Sequence, residues 1–274
     1  MKVQIFSDLH TEVNKSFKYH DIKPLCDTII LAGDLGSLNM GTNWIDGFTD
    51  MIRYFSRNWR RVYVCMGNHE YYSSCFSMMQ LCRFYNPIFE SFSNVKLLER
   101  RFYILDKSTI IMGCTLWSRI SKETSKKVNA LKNINHDVVI SDVTTKIKHP
   151  ITCEMYNLLH DRERKWLIDA VNDFSKNPKL KIIVVTHYPT LNDDRMFHEK
   201  YRNKHEDKYD SQFAAHIPEI HKGSNTIFIS GHTHYSCDFK DENTGTRFIS
   251  NQAGYDYEQQ YGMCNFNPDG VFEI

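Results

Sequence analysis

The stretch Val62–Glu70, VYVCMGNHE, decides the reading of the fold. VYVCM is apolar or aromatic throughout, which fits a short interior strand of a parallel sheet, buried on both faces. Gly67 ends it. Asn68, His69 and Glu70 follow at once, with no room for a helix between. Open α/β sheets bind their ligands beyond the carboxyl ends of their strands. An amide and an imidazole at that position are therefore candidate ligands.

Other runs end in the same way. Lys2–Phe6 leads to Ser7, Asp8, Leu9 and His10, and TIILA (Thr28–Ala32) leads to Gly33 and Asp34. LKIIVV (Leu180–Val185) leads to Thr186 and His187, and TIFIS (Thr226–Ser230) to Gly231, His232, Thr233 and His234. Asn43–Asn58 carries apolar residues at helical spacing, including Ile45, Phe48, Met51, Ile52 and Phe55, so a crossover helix separates the second and third strands. The spacing predicts further helices over Ser74–Asn86, stopped by Pro87, over Arg162–Phe174, and over Gln212–His221. Val95–Leu98, Phe102–Leu105 and Thr109–Cys114 read as a meander. Residues 117–152 turn polar and read as a small, partly helical cap inserted into a single domain spanning 1–274. Residues 191–210 read as a surface loop, and the tail from Tyr235 as short antiparallel strands.

Asp8, His10, Asp34, Asn68, His187, His232 and His234 offer two carboxylates, one amide oxygen and several imidazoles. Asp-x-His or His-x-His leaving an extended strand puts both side chains on one face. The set is too rich in nitrogen for calcium or magnesium and suits manganese, iron, zinc or nickel. It is too large for one tetrahedral zinc. Two ions sharing Asp34 fit better, because a carboxylate has two oxygens to share.

In order, Asp8-Leu9-His10, Gly33-Asp34, Gly67-Asn68-His69-Glu70, His187 and Gly231-His232-Thr233-His234 resemble the motif set of the calcineurin-like metallophosphoesterase superfamily. The resemblance implies an α/β, four-layer fold, with two mixed β-sheets sandwiched between helices. It implies two divalent metal ions, manganese foremost. Asp8, His10 and His234 would hold the first; Asn68, His187 and His232 the second; Asp34 would bridge them. His69 would face the scissile phosphate and protonate or stabilise the leaving oxygen, making His69 and Asp34 the catalytic pair. Metal-bound water acidified toward neutral pH would supply a bridging hydroxide for in-line attack, between ions roughly 3.5–4 Å apart.

Departures narrow the subfamily. Leu35-Gly36-Ser37 after Asp34 lacks the Asp-Arg-Gly of protein Ser/Thr phosphatases. Ser37 stands where purple acid phosphatases place a tyrosine ligand. Asp8 stands where RNA-lariat debranching enzymes carry cysteine. In ISNQAGY (Ile249–Tyr255), Gln252 and Ala253 replace the Pro-Arg common in small bacterial members.

The expected activity is hydrolysis of a phosphodiester or phosphomonoester, with a small nucleotide-type diester favoured. A nuclease is the alternative, and a non-catalytic scaffold of the same fold the second. Asn68, His69, Tyr71, Trp117 and Tyr188 are candidate substrate contacts, since aromatics beside the ligand segments could stack on a base; core packing explains them equally well. Lys122, Lys126, Lys127, Lys146 and Lys148 read first as a solvated face and second as phosphate contacts. The remaining histidines, such as His160 and His221, read as surface residues.

The bulk properties fit a globular protein. The 274 residues include 41% apolar and 24% charged side chains, and 34 basic residues balance 33 acidic ones to leave +1. That balance provides no general attraction to nucleic acid or an anionic membrane. Without an apolar run of about 18 residues, no membrane span is expected. The eight cysteines form no C-x-x-C pair. Reduced, mostly buried thiols in a cytoplasmic protein are expected.

Overall fold

A computed structural model describes residues 1–38, 43–139, 146–202 and 213–274. The chain runs β1 (Lys2–Phe6), β2 (Thr28–Ala32), α1 (Asn43–Asn58), β3 (Arg61–Cys65), α2 (Met78–Glu90), β4 (Val95–Leu97), β5 (Arg101–Asp106) and β6 (Thr109–Cys114). It continues with α3 (Ala130–Asn133), β7 (Asn135–Val139), β8 (Lys146–Pro150), α4 (Cys153–Ser175), β9 (Lys181–Thr186) and β10 (Thr226–Ile229). The last elements are β11 (Cys237–Lys240), β12 (Arg247–Ser250), α5 (Asp256–Gln260) and β13 (Val271–Glu273).

Two sheets form the centre. The first has the order β13-β1-β2-β3-β4, parallel except for the edge strand β13. The second has the order β11-β12-β10-β9-β6-β5, with β6, β9, β10 and β12 parallel and antiparallel strands at both edges. Alternation along each strand explains the layering. Ile30 and Ala32 of β2 meet Ile183 and Val185 of β9 and Ile227 and Ile229 of β10 between the sheets. Ile29 and Leu31 face the other way, onto Phe48, Met51, Ile52 and Phe55 of α1 and Leu81 and Tyr85 of α2. Ile182 and Val184 of β9 face Leu167 and Val171 of α4. Four layers result, and every central strand is covered on both sides.

Several expectations are corrected. β4 pairs parallel with β3, whereas β5 and β6 form a hairpin in the other sheet, so the three are not one meander. α2 starts later and passes through Pro87. Its start is fixed by a capping box of Ser77 and Gln80, and Pro87 falls in the last turn. α4 begins at Cys153, where Thr152 accepts from the amide of Met155; its first half buries Tyr156, His160 and Glu163, a stripe too polar to read as amphipathic. Of Gln212–His221, Phe213 and the short turn Pro218–Ile220 are helical while 214–217 are not, and Gln212 lies outside the described residues. β12 runs parallel to β10, so the tail is not wholly antiparallel. Within 117–152, Trp117, Ile120, Val128, Ala130, Leu131 and Ile134 pack into the cluster that covers the first sheet; residues 140–145 lie outside the described set. His160 is not a surface residue: it is buried and its Nδ1 meets the carbonyl of Trp117, while His221 is half-buried and packs on Phe228 and Phe248.

The consequence for function is one shared rim. The carboxyl ends of β1, β2 and β3 and those of β6, β9 and β10 lie on the same side. Cross-sheet bonds join them there. Nδ1 of His187, after β9, meets the carbonyl of Ala32 in β2 at 2.9 Å, and the amide of His232, after β10, donates to Oδ1 of Asp8, after β1, at 3.1 Å.

Candidate metal centre

The backbone at this rim is unusual. Among the described residues, nine non-glycine positions have positive φ, and five of them are Asp8 (55°), His10 (45°), Asp34 (51°), His232 (74°) and His234 (53°). Each such residue costs of order 1–3 kcal/mol and persists only where the surroundings enforce it. Asp8 and His10, and likewise His232 and His234, therefore converge through left-handed turns and not through the strand alternation expected from sequence. Gly67 permits the approach: a Cβ there would collide with the Asp34 carboxylate and backbone.

Three overlapping groups result: Asp8, His10 and His234; His10, Asp34 and His69; and Asp34, His187 and His232. Within each, the donor atoms lie within 4.8 Å of one another. The Nε2 atoms of His10 and His234 are 3.0 Å apart, and Asp8 Oδ1 is 3.5 Å from that of His234. His187 Nε2 lies 3.0 Å from Asn68 Oδ1 and 3.3 Å from Asp34 Oδ2. The backbone amide of His69 donates to Asp34 Oδ1 at 2.8 Å.

Partners on the far side of the imidazoles fix what they present. Nδ1 of His10 faces Glu12 at 3.3 Å and Nδ1 of His234 faces Glu258 at 2.6 Å. A ring that donates from Nδ1 presents a lone pair at Nε2. Two such lone pairs pointed at each other across 3.0 Å repel unless a proton or a cation lies between them. At the other end, His187 donates Nδ1–H to Ala32 and Asn68 gives its amide N–H to Tyr72, so Nε2, Oδ1 and the Asp34 carboxylate again converge as acceptors. The residues thus fit divalent cations, and the mixture of imidazole, carboxylate and amide oxygen suits a borderline transition metal.

Electrostatics follow from burial and charge. Burial raises the Asp34 carboxyl, but the neighbouring His187, His69 and His10 outweigh it and hold its pKa well below the ordinary range. Burial pulls the His69 imidazolium down, yet Asp34 and Glu12 raise it to about 9. Glu12 is itself brought to about 2 by His10 and His69, against its burial. Glu70 is buried, and its two oxygens accept the backbone amides of Gly67, Asp34, Leu35 and Gly36, tying the second and third loops together.

A cavity of about 790 Å³ opens over the centre. Asp34, Asn68, His69, His232 and His234 form its base, and Tyr72, Tyr188, Phe197, Tyr201, Phe213 and Tyr255 are among its walls, with Lys127. Two expected substrate contacts do not reach it. Tyr71 and Trp117 are buried and pack on each other with ring centroids 5.4 Å apart, because the short turn His69–Tyr71 directs Tyr71 into the core. Tyr72 takes the open side, its ring 4.5 Å from that of His69. Of the lysines, Lys122 pairs with Glu154 at 3.5 Å and Lys148 bonds the carbonyl of Cys75.

Glu12, Glu258 and the placement of Tyr255 escaped the sequence reading. The Tyr255 ring lies 4.5 Å from that of His10, and its hydroxyl is 3.4 Å from His69 Nε2. Glu12 could have been suspected from its position two residues after His10; nothing local marks Glu258. Gln252, where the family pattern has proline, is buried and donates to Thr233 Oγ1 and the carbonyl of Tyr235, each at 2.9 Å, bracing the turn that carries His232 and His234.

Sheets sandwiched between helices, with a rim of aspartate and histidine over an open cavity, define a metal-dependent hydrolase. The chain belongs to the calcineurin-like phosphoesterase family, whose model matches residues 1–236. That family hydrolyses phosphoesters with metal ions. Among solved structures, the fold is similar to phosphopantetheinyl hydrolase (PptH) from Mycobacterium tuberculosis, with a TM-score of 0.63, 17% identity, and coverage of 95% of this chain and 92% of that one. It is also similar to TT1561 of Thermus thermophilus, with a TM-score of 0.50, 8% identity, and coverage of 93% and 89%. At these identities the likeness is one of fold. No curated protein matches the chain. No helix among the described residues is long and apolar enough to cross a membrane.

Proposed function

We propose that the protein is a dinuclear phosphoesterase acting on a small phosphorylated substrate, with a nucleotide-type phosphodiester favoured. The observation that carries this reading is the convergence of acceptor atoms from separate loops onto two adjacent positions at the base of one cavity. Asp8, His10 and His234 form one position, Asn68, His187 and His232 the other, and Asp34 lies between them. Two divalent ions there, manganese first and iron, zinc or nickel next, would acidify a water and neutralise phosphoryl charge.

The chain's own residues supply the rest. Asp34 holds the two positions together and anchors the amide of His69. Glu12 fixes the His69 ring by its Nδ1 at 2.8 Å, leaving Nε2 on the cavity side. His69 then gives its Nε2 proton to the departing ester oxygen. A positioned proton donor contributes about 10²–10⁴-fold.

The cavity volume lies within the range of small-ligand sites, roughly 300–1,000 Å³. Aromatic walls offer faces for a base or another planar group. These features favour a small ester over extended nucleic acid, and a cytoplasmic enzyme acting on soluble phosphoesters is the corresponding setting.

The test is a panel of phosphomonoesters, linear and cyclic phosphodiesters and oligonucleotides, each assayed with manganese, iron(II), zinc and nickel. The expected result is turnover of a small diester that stops on chelation and returns with manganese. Protein that binds no transition metal and turns over no ester would end the reading, and a steep salt-dependent preference for oligonucleotides would replace it with a nuclease.

A further inference from the structure

Two proton-bearing groups meet over the centre. The Tyr255 hydroxyl lies 3.4 Å from Nε2 of His69, the atom that serves the leaving oxygen, and both residues line the cavity. That separation is long for an N–H···O bond, so it is readily exchanged for an oxygen of a bound ester. A phenol titrates near pH 10 and keeps its proton at neutral pH. Among the described residues, His69 is the sole hydrogen-bond partner of this hydroxyl. The imidazolium has no lone pair to offer, so a hydroxyl that accepts from its Nε2–H still has its own proton to give.

The fold holds the hydroxyl in place. Gly254 turns the chain at φ 69°, where a Cβ would collide with Cys264 Sγ at 2.5 Å. Asn14 clamps the residues on either side of Tyr255: its Nδ2 donates to the carbonyl of Gly254 at 2.8 Å, and its Oδ1 accepts the amide of Asp256 at 3.0 Å. The Tyr255 amide donates to Glu258 at 2.9 Å. The ring rests against His10 and His234, with centroids 4.5 and 4.7 Å away. Asn14 stands two residues after Glu12, which holds Nδ1 of His69 at 2.8 Å. One short loop after β1 thus positions both groups.

We propose that Tyr255 is a further catalytic residue: when an ester binds, its hydroxyl exchanges His69 for the substrate and donates to a phosphoryl oxygen that stays on phosphorus. His69 Nε2 turns to the leaving oxygen, and the adjacent oxygen of the same phosphoryl group falls to the phenol. A donor fixed in advance where charge is spread in the transition state lowers the barrier without reorganising.

This inference rests on the phosphoesterase reading, and its test separates the two. Tyr255→Phe keeps the ring against His10 and removes only the hydroxyl. Its melting temperature, and its manganese content by elemental analysis, should match those of the unaltered protein. On a series of methyl aryl phosphates its kcat should fall roughly 10²-fold, by the same factor for good and poor leaving groups, with KM little changed. Orthovanadate, which mimics five-coordinate phosphorus, should bind the manganese-loaded variant about ten-fold more weakly by calorimetry. A loss confined to poor leaving groups would put Tyr255 on the leaving oxygen. Unchanged kcat, or unchanged affinity for orthovanadate, would remove it from the transition state, and loss of manganese would make it a structural residue. Each of these results overturns the inference and leaves the phosphoesterase reading intact. Unaltered protein that neither binds orthovanadate nor cleaves any ester would overturn both.

Discussion

Glu12 Oε1 lies 2.8 Å from His69 Nδ1, and the same oxygen lies 3.3 Å from His10 Nδ1. One largely shielded carboxylate therefore sets the rotation of two imidazoles at the same centre. The arrangement leaves His69 Nε2 directed at the space over Asp34, 4.0 Å from its Oδ2.

If that atom protonates the leaving oxygen, its removal must hurt most where the leaving group needs the proton. His69→Ala is expected to retain its metals and to lose about 10²–10⁴-fold in kcat on alkyl phosphoesters, with a far smaller loss on nitrophenyl esters. Glu12→Gln should show the same leaving-group bias at smaller size. Equal losses on good and poor leaving groups would rule out proton donation.

Asp34 is the one carboxylate present in two of the three ligand groups. Asp34→Asn keeps the shape but removes the shared charge and one anionic oxygen. Both metals should loosen, so that dialysed protein retains substantially less than two equivalents by elemental analysis. Tight retention of two ions by this variant would argue against a bridging role.

Tyr201 and Phe213 line the cavity, and the Phe213 ring lies 6.0 Å from that of His232. Stacking of a base on an aromatic ring is worth about 1–3 kcal/mol. Tyr201→Ala and Phe213→Ala should therefore raise KM for nucleoside esters by roughly 5–150-fold, while kcat on methyl nitrophenyl phosphate stays unchanged. Unaltered KM for nucleoside esters in both variants would remove the favoured substrate class.

Much of this site was legible because parallel strands buried on both faces read as unbroken apolar runs. The residues that follow such runs fall at the rim by topology alone. Asp8, Asp34, Asn68, His187 and His232 could be placed without any knowledge of side-chain packing. What was illegible depends on packing. Glu258 stands on a five-residue helix and reaches His234 from 24 positions away. Tyr71 and Tyr72 are adjacent and chemically alike, yet one faces Trp117 and the other His69. Only the tight turn between β3 and α2 separates their fates. Periodicity starts α4 too late because His160, though buried, looks like a surface residue in such a count.

Glu163 yields a prediction remote from the metals. It is 1% exposed, and its Oε2 accepts the amide of Leu116 at 2.7 Å. Burial, reinforced by the charge of Glu99, pushes its pKa from an ordinary 4.5 up to about 8. The folded state thus holds this proton more tightly than the unfolded state does. The resulting stabilisation is complete below about pH 4.5 and is lost progressively as pH rises toward 8. Glu163→Gln is neutral at every pH and still offers Leu116 an amide oxygen. Melting temperatures measured across this range should show the unaltered protein losing ground to the variant as pH rises, by roughly 2–4 °C for each kcal/mol involved. Below pH 4.5 the two should run parallel. A constant difference between them from pH 4.5 to 8 would mean that Glu163 is ionised in the folded protein throughout, stabilised by its bond to Leu116 instead of burdened by burial.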